Sequence, residues 1–216
     1  MLVDVCSVVS LHYESVVRWH QSPIYNPFDG YLATVCTQHG FNFRLWHEED
    51  IARSPLVSDA RIAEVKRAID KLNQQRNDWI EKLDDWLTQE LNRRGIVAAK
   101  SATQNTETPC SVIDRLSILA LRIFHFEEQT LRTDAPVEHL ESVNRTLAIC
   151  RTQRDDLSRS LDELLMDIEA GRKLHKTYRQ FKMYNVEQLN PQLYGARRPS
   201  GSGTPPAAHA APEELP

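Results

Sequence analysis

Several common signatures of function are absent from this sequence. Its 216 residues include only four cysteines and seven glycines. No CxxC pair, glycine-rich phosphate loop or G-x-S-x-G motif occurs among them. The cysteines (Cys6, Cys36, Cys110 and Cys150) are widely scattered, which favours small apolar core residues over disulfides or zinc ligands. Covalent catalysis therefore has no support in the sequence.

The sequence also lacks an excess of charge of one sign. It contains 26 basic and 30 acidic residues, for a formal net charge of −4. Such a balance provides no basic field for a nucleic acid or for an anionic membrane. No run of 18 apolar residues is present, so no transmembrane helix is expected. The first residues, MLVDVCSVVSLHYESVV, carry an acid at Asp4 and no basic segment, and they predict a first helix rather than a signal peptide. We expect a cytoplasmic protein with reduced cysteines.

Strand signals are missing too, and helical periodicity dominates the chain. The sequence predicts an all-α fold, an up-down bundle of five to six helices within a domain that covers residues 1–190. Proline and glycine positions place the helices at about 3–20, 27–53, 58–92, 109–132, 136–170 and 172–185. Beyond Tyr194 no aromatic, isoleucine or valine residue remains. Residues 191–216 are therefore predicted to form a disordered tail.

Two of the predicted helices carry an arginine inside an apolar packing stripe. Arg76 lies within a stripe of apolar residues at positions 62, 65, 69, 72, 80, 83 and 87. Arg154 lies within a second stripe of apolar residues, at positions 140, 143, 147, 150, 157, 161, 164 and 168. A buried guanidinium is unfavourable unless it finds a partner. Asp114 lies 20 residues before the turn near residue 134 and Arg154 lies 20 after it, so antiparallel packing predicts that they pair.

The same reasoning predicts a polar layer inside the bundle. Arg76 should lie opposite His39, with Asn42 and Asn73 beside them and His12 at a similar height. The candidate ligand-binding residues are therefore His39, Asn42, Asn73, Arg76, Asp114 and Arg154. One interpretation is a buried ion network that sets the helix register. The other is a pocket in which two arginines bind a carboxylate or phosphate in bidentate fashion.

A second polar layer is predicted nearer the turns, around Trp46. Its acids and histidine raise the hypothesis of a divalent metal bound by Glu49, Asp50, His125 and Glu128. Their spacing does not match the paired Glu-x-x-His pattern of di-iron bundles. Glu81 and Asp84 resemble the clustered acids of helical nucleotide pyrophosphatases, but a second matching spacing is missing. No cofactor is required by the sequence.

Four segments in order carry a family resemblance: NPFDGYLATVCTQHGFNFRLWHEEDIAR, KRAIDKLNQQRNDWIEKLDDWL, DRLSILALRIFH and FKMYN. They resemble a bacterial all-helical family that bears a domain-of-unknown-function label, over about residues 5 to 190. The resemblance implies a single-domain helical protein and transfers no catalytic residue.

Three functions stay open on the sequence alone. The first is binding of, or action on, an anionic small metabolite at the polar layer. The second is a non-enzymatic scaffold in which that layer is structural, with Trp79 and Trp86 marking the surface of a homodimer. The third is a metal-dependent helical hydrolase. Whether the protein is an enzyme is left undecided.

Overall fold

Five long helices form the fold in a computed structural model that describes residues 2–181 and 187–190. They are α1 (Val5–Trp19), α2 (Gly30–Arg53), α3 (Asp59–Arg93), α4 (Pro109–Thr130) and α5 (Val137–Glu169). The predicted all-α fold is confirmed, and each of the first five predicted helices is present with ends that differ by a few residues. The predicted disordered tail at 191–216 lies outside the described residues.

The ends of the helices follow local sequence signals. Asp4 caps α1 by accepting hydrogen bonds from the backbone N–H groups of Cys6 and Ser7. Ser58 caps α3, where its side chain accepts a hydrogen bond from the backbone N–H of Arg61. Thr108 caps α4, and Pro109 occupies the first turn, where a missing N–H costs nothing. These signals explain why the helix boundaries could be read from the chain.

Helix α4 is the central element of the bundle. It contacts each of the other four helices, in agreement with its nearly continuous apolar sequence. The short connections from α2 to α3 and from α4 to α5 make each pair antiparallel neighbours. The predicted stripes of α3 and α5 are buried at most of their positions, for example at Val65, Leu83, Leu147 and Leu161.

The predicted sixth helix is wrong over its described part, residues 172–181. Here β2 (Lys173–Leu174) pairs in parallel with β1 (Thr103–Gln104), within the linker between α3 and α4. Gly171 adopts a left-handed conformation with φ of 71°, and its carbonyl accepts a hydrogen bond from Ala99 N at 2.9 Å. The linker thereby provides backbone partners that compete with a helix. Residues 182–185 of the prediction lie outside the described residues.

The chain divides into two compact units, residues 1–179 and 180–216. The first contains all five helices. Of the second, the structure describes residues 180, 181 and 187–190, which include a 3-10 turn at Glu187–Leu189. The sequence placed the end of the helical domain at residue 190.

All four cysteines are free. Cys36, Cys110 and Cys150 are buried as predicted, whereas Cys6 is exposed. In the described part of the chain no helix is both long and apolar enough to cross a membrane.

Candidate functional site

A buried carboxylate on α4 organises the polar layer. Asp114 is 4% exposed and accepts hydrogen bonds from Gln38 Nε2 at 2.6 Å and from Asn42 Nδ2 at 2.9 Å. Arg76 Nε donates to its Oδ1 at 2.7 Å, and Arg76 Nη2 donates to its Oδ2. This bidentate, charge-assisted contact raises the pKa of Arg76 through its hydrogen bonds with Asp114. Asp114 therefore joins α4 to both α2 and α3.

The layer continues from Asn42 toward two buried histidines. Asn42 Nδ2 also donates to Ser117 Oγ at 2.8 Å, and this hydroxyl lies 2.6 Å from His39 Nδ1. The His39 and His12 rings are 4.7 Å apart. Burial lowers the pKa of His12 to about 3 and that of His39 well below its ordinary value. Both imidazoles are therefore neutral at physiological pH.

The predicted pairing of Asp114 with Arg154 is wrong. Arg154 Nε donates to Asp155 at 2.9 Å on its own helix, and its side chain lines a groove beside Val5 and Ser10 of α1. Equal distance from a turn sets the height of two residues but not the direction in which their side chains point. Asp114 points toward α2 and α3, while the long arginine side chain carries its charge from the seam to the surface.

A cleft opens beside the pair formed by Arg76 and Asp114. Its volume is about 450 Å³, within the range of small-molecule pockets. It lies between α2, α3 and α4. Its polar lining comprises three arginines, two asparagines and one acid: Arg53, Arg76, Arg122, Asn42, Asn73 and Glu49. We call this the anion cleft.

The charges of the anion cleft are unevenly neutralised. Arg53 lies 3.1 Å from Glu49 and 3.6 Å from Asp50. Arg76 uses Nε and Nη2 for Asp114, which leaves Nη1 and the second Nη2 hydrogen of its five-donor guanidinium. The side chains of Arg122 and Asn73 form no hydrogen bond or ion pair with any residue in the described ranges. The cleft thus has an excess of positive charge and free N–H donors.

The four residues predicted to bind a metal do not come together. Glu49 and Asp50 lie against Arg53, while His125 Nδ1 is 2.8 Å from Glu128 Oε2. Among the residues that the structure describes, no group of three or more His, Cys, Asp and Glu side chains is placed to hold a metal ion. The two acids that resemble those of pyrophosphatases also have different surroundings. Glu81 pairs with Arg179 at 3.1 Å, whereas Asp84 is buried.

Sequence reasoning missed three members of the site: Gln38, Ser117 and Arg122. Gln38 precedes Asn42 by four residues and Ser117 follows Asp114 by three, so each lies one helical turn from a residue that was found. Arg122 interrupts the apolar sequence of α4 one turn before His125. This helical spacing was the available signal.

The fold and the site together define the class of protein. It is a helical bundle with a buried carboxylate network and an adjoining cationic cleft. Residues 32–177 match the family described as a protein of unknown function, DUF4254. The chain belongs to this family, and the predicted resemblance to a domain-of-unknown-function family is confirmed. The matched range contains every residue of the anion cleft, whereas the FKMYN segment lies beyond it. Searches of curated proteins and of solved structures gave no match.

Proposed function

We propose that the anion cleft binds the anionic group of a small molecule, with Arg76 and Arg122 as the cationic contacts. The observation that carries this proposal is that Arg122, without a partner in the described structure, faces the same 450 Å³ cavity as Arg76. A guanidinium presents several N–H donors in a plane that matches carboxylate and phosphate oxygens. The amide of Asn73 supplies a further donor.

In this proposal Asp114 is a positioning residue. It is buried behind Arg76 and holds the guanidinium by two hydrogen bonds. Because the guanidinium is already fixed, Arg76 loses little conformational entropy when it binds an anion. Gln38 and Asn42 hold Asp114 in turn. The buried layer therefore sets the geometry of the exposed cationic surface.

A structural role for the layer is the second candidate. It is favoured by the saturation of the Asp114 carboxylate with donors from α2 and α3, because such a network sets the register of three helices. In that case the cleft would be a by-product of the packing and would bind no anion. The two candidates differ in the behaviour of Arg122, which takes no part in the network.

A larger cavity of about 540 Å³ lies between α4 and α5, lined in part by Arg115, Arg122, Gln153 and Asp156. It lacks Arg76 and every other member of the buried network. Its lining also includes the carboxylate of Asp156, and Arg115 is paired with Glu107 at 3.4 Å. We therefore assign the anion to the cleft, in which a buried carboxylate fixes one of the cations.

Isothermal titration calorimetry with inorganic phosphate, pyrophosphate and citrate tests the proposal. At least one of these anions should bind the wild-type protein, and Arg122→Gln should weaken binding without lowering the melting temperature. Arg159→Gln is the matched control, because it removes an exposed guanidinium of α5 that lies 3.7 Å from Asp156 and outside the cleft. Binding that is unchanged in Arg122→Gln, or absent from the wild type, would contradict the proposal.

A further inference from the structure

We infer that the anion bound in the cleft is joined to a planar nitrogen heterocycle, as in a nucleoside monophosphate, and that the heterocycle lies against Trp46 in an adjoining cavity. This inference rests on the proposed function of the anion cleft and adds the chemical class of its ligand.

The adjoining cavity has a volume of about 410 Å³ and shares Trp46 and Arg122 with the anion cleft. We call it the aromatic cavity. Its remaining lining is Asp50, His125, Phe126 and Gln129. Because Trp46 and Arg122 border both cavities, one ligand can place its anionic group in the anion cleft and its ring in the aromatic cavity. The bond path between the two groups would pass beside these two side chains.

Three of the six side chains that line the aromatic cavity are aromatic rings. The Trp46 and His125 rings stack at 4.8 Å with an interplanar angle of 10°. Trp46 packs against the main hydrophobic core, and the hydrogen bond from His125 Nδ1 to Glu128 fixes the second ring. Phe126 adds a third ring to the lining. The facing sides of Trp46 and His125 cover each other, so a planar ligand group contacts only the ring surfaces of this rigid pair that border the cavity. That contact costs little entropy, because the rings are already fixed.

The polar groups of the aromatic cavity favour a heterocycle that carries both a hydrogen-bond donor and an acceptor. Asp50 is an exposed carboxylate 3.6 Å from Arg53, and it accepts hydrogen bonds but disfavours a second anion nearby. Gln129 carries both an amide donor and an acceptor. Gln129 Oε1 already accepts a hydrogen bond from Arg132 Nη1 at 3.2 Å, so Gln129 offers its amide N–H groups as donors. A ring that presents an amino or N–H group to Asp50 and an acceptor nitrogen to Gln129 pairs with both side chains, whereas a plain hydrocarbon ring pairs with neither. The ligand is therefore charged at one end and bears a nitrogen heterocycle at the other.

The cavity between α4 and α5 also borders the anion cleft, through Ile118 and Arg122. Its lining contains no aromatic side chain. It offers a planar ring no stacking surface, and for this reason the heterocycle is assigned to the side of Trp46.

Calorimetric titration of the full chain with six probes tests the inference. The probes are the four ribonucleoside 5′-monophosphates, ribose 5-phosphate and inorganic phosphate. At least one nucleotide should bind about tenfold more tightly than ribose 5-phosphate, the size expected from stacking of one base. Ribose 5-phosphate and phosphate report on the anion cleft alone.

Variants separate the two cavities. Trp46→Leu should remove the advantage of the nucleotide over ribose 5-phosphate, and Trp46→Phe should keep part of it. Asn73→Ala, in the anion cleft, should weaken nucleotide and ribose 5-phosphate by the same factor. Trp79→Leu is the control, because this tryptophan of α3 borders neither cavity.

The outcomes distinguish the two proposals. If ribose 5-phosphate binds but no nucleotide binds more tightly, the heterocycle is wrong and the anion cleft stands. If none of the six probes binds, the inference fails, and the titrations with pyrophosphate and citrate then decide whether the anion cleft stands. Should Trp46→Leu not fold, Gln129→Ala decides, because Gln129 borders only the aromatic cavity. A nucleotide affinity that is unchanged in Gln129→Ala would then overturn the inference.

Discussion

Arg76 of α3 donates two hydrogen bonds to the buried carboxylate of Asp114 on α4, one from Nη2 and one from Nε at 2.7 Å. The Asp114 side chain is almost fully buried, whereas the Arg76 side chain is 26% exposed. This contact connects a structural network on one side with a cationic cleft on the other.

Removal of the arginine should be costly. Arg76→Ala leaves Asp114 charged and buried with only amide donors, so we expect a loss of about 3 kcal/mol in the free energy of unfolding. Urea denaturation followed by circular dichroism measures this loss. A change of less than about 0.5 kcal/mol would show that Asp114 does not depend on the arginine.

Arg154→Ala should have a much smaller effect. Its ion pair with Asp155 joins neighbouring residues near the surface, and such pairs contribute at most about 1 kcal/mol. The same denaturation experiment, run beside Arg76→Ala, gives the comparison. If Arg154→Ala destabilises the protein as much as Arg76→Ala, the arginine of α5 has a buried partner after all.

Acid should destabilise the bundle through its buried histidines. The pKa of His12 is about 3 in the fold and about 6.5 in an unfolded chain. Below pH 6.5 the unfolded state therefore binds more protons, and stability that is present above this pH is lost as the pH falls toward 3. Between these two pKa values, each such histidine lowers the free energy of unfolding by about 1.4 kcal/mol for every pH unit of acidification.

The variant His12→Leu cannot take up this proton. Its free energy of unfolding, measured by urea denaturation at several pH values between 6.5 and 4, should fall less steeply than that of the wild type. His139→Leu on α5 removes an exposed histidine and serves as the control. Equal slopes for wild type and His12→Leu would contradict the burial of a neutral His12.

Two glycines with left-handed backbones should respond differently to substitution. Gly171 has φ of 71°, and an added Cβ would lie 2.9 Å from the carbonyl oxygen of Val97. Gly95 has φ of 66° and open space around the same position. Gly95→Ala should cost about 1 kcal/mol from backbone strain, and Gly171→Ala should cost clearly more. Thermal unfolding of the two variants makes the comparison, and equal losses would show that the contact with Val97 relaxes.

Much of the fold could be predicted because helices carry local signals. Ser58 and Pro109 mark helix starts, and the apolar spacing of α3 and α5 identifies their buried faces. The predicted helix at 172–185 failed over its described part for a non-local reason. The backbone of Thr103 and Gln104, about 70 residues earlier in the chain, pairs with Lys173 and Leu174, and no window of sequence around residue 173 contains that partner.

The sequence by itself determined the five long helices, their order and the polar residues that interrupt their apolar faces, because helical periodicity and capping act over one or two turns. Only the tertiary structure decided that Asp114 pairs with Arg76 rather than Arg154. It also decided that Arg122 joins Arg76 at one cleft. Both depend on the rotation of each helix about its own axis. That rotation is set by the packing of whole faces against several neighbours, and no local spacing specifies it.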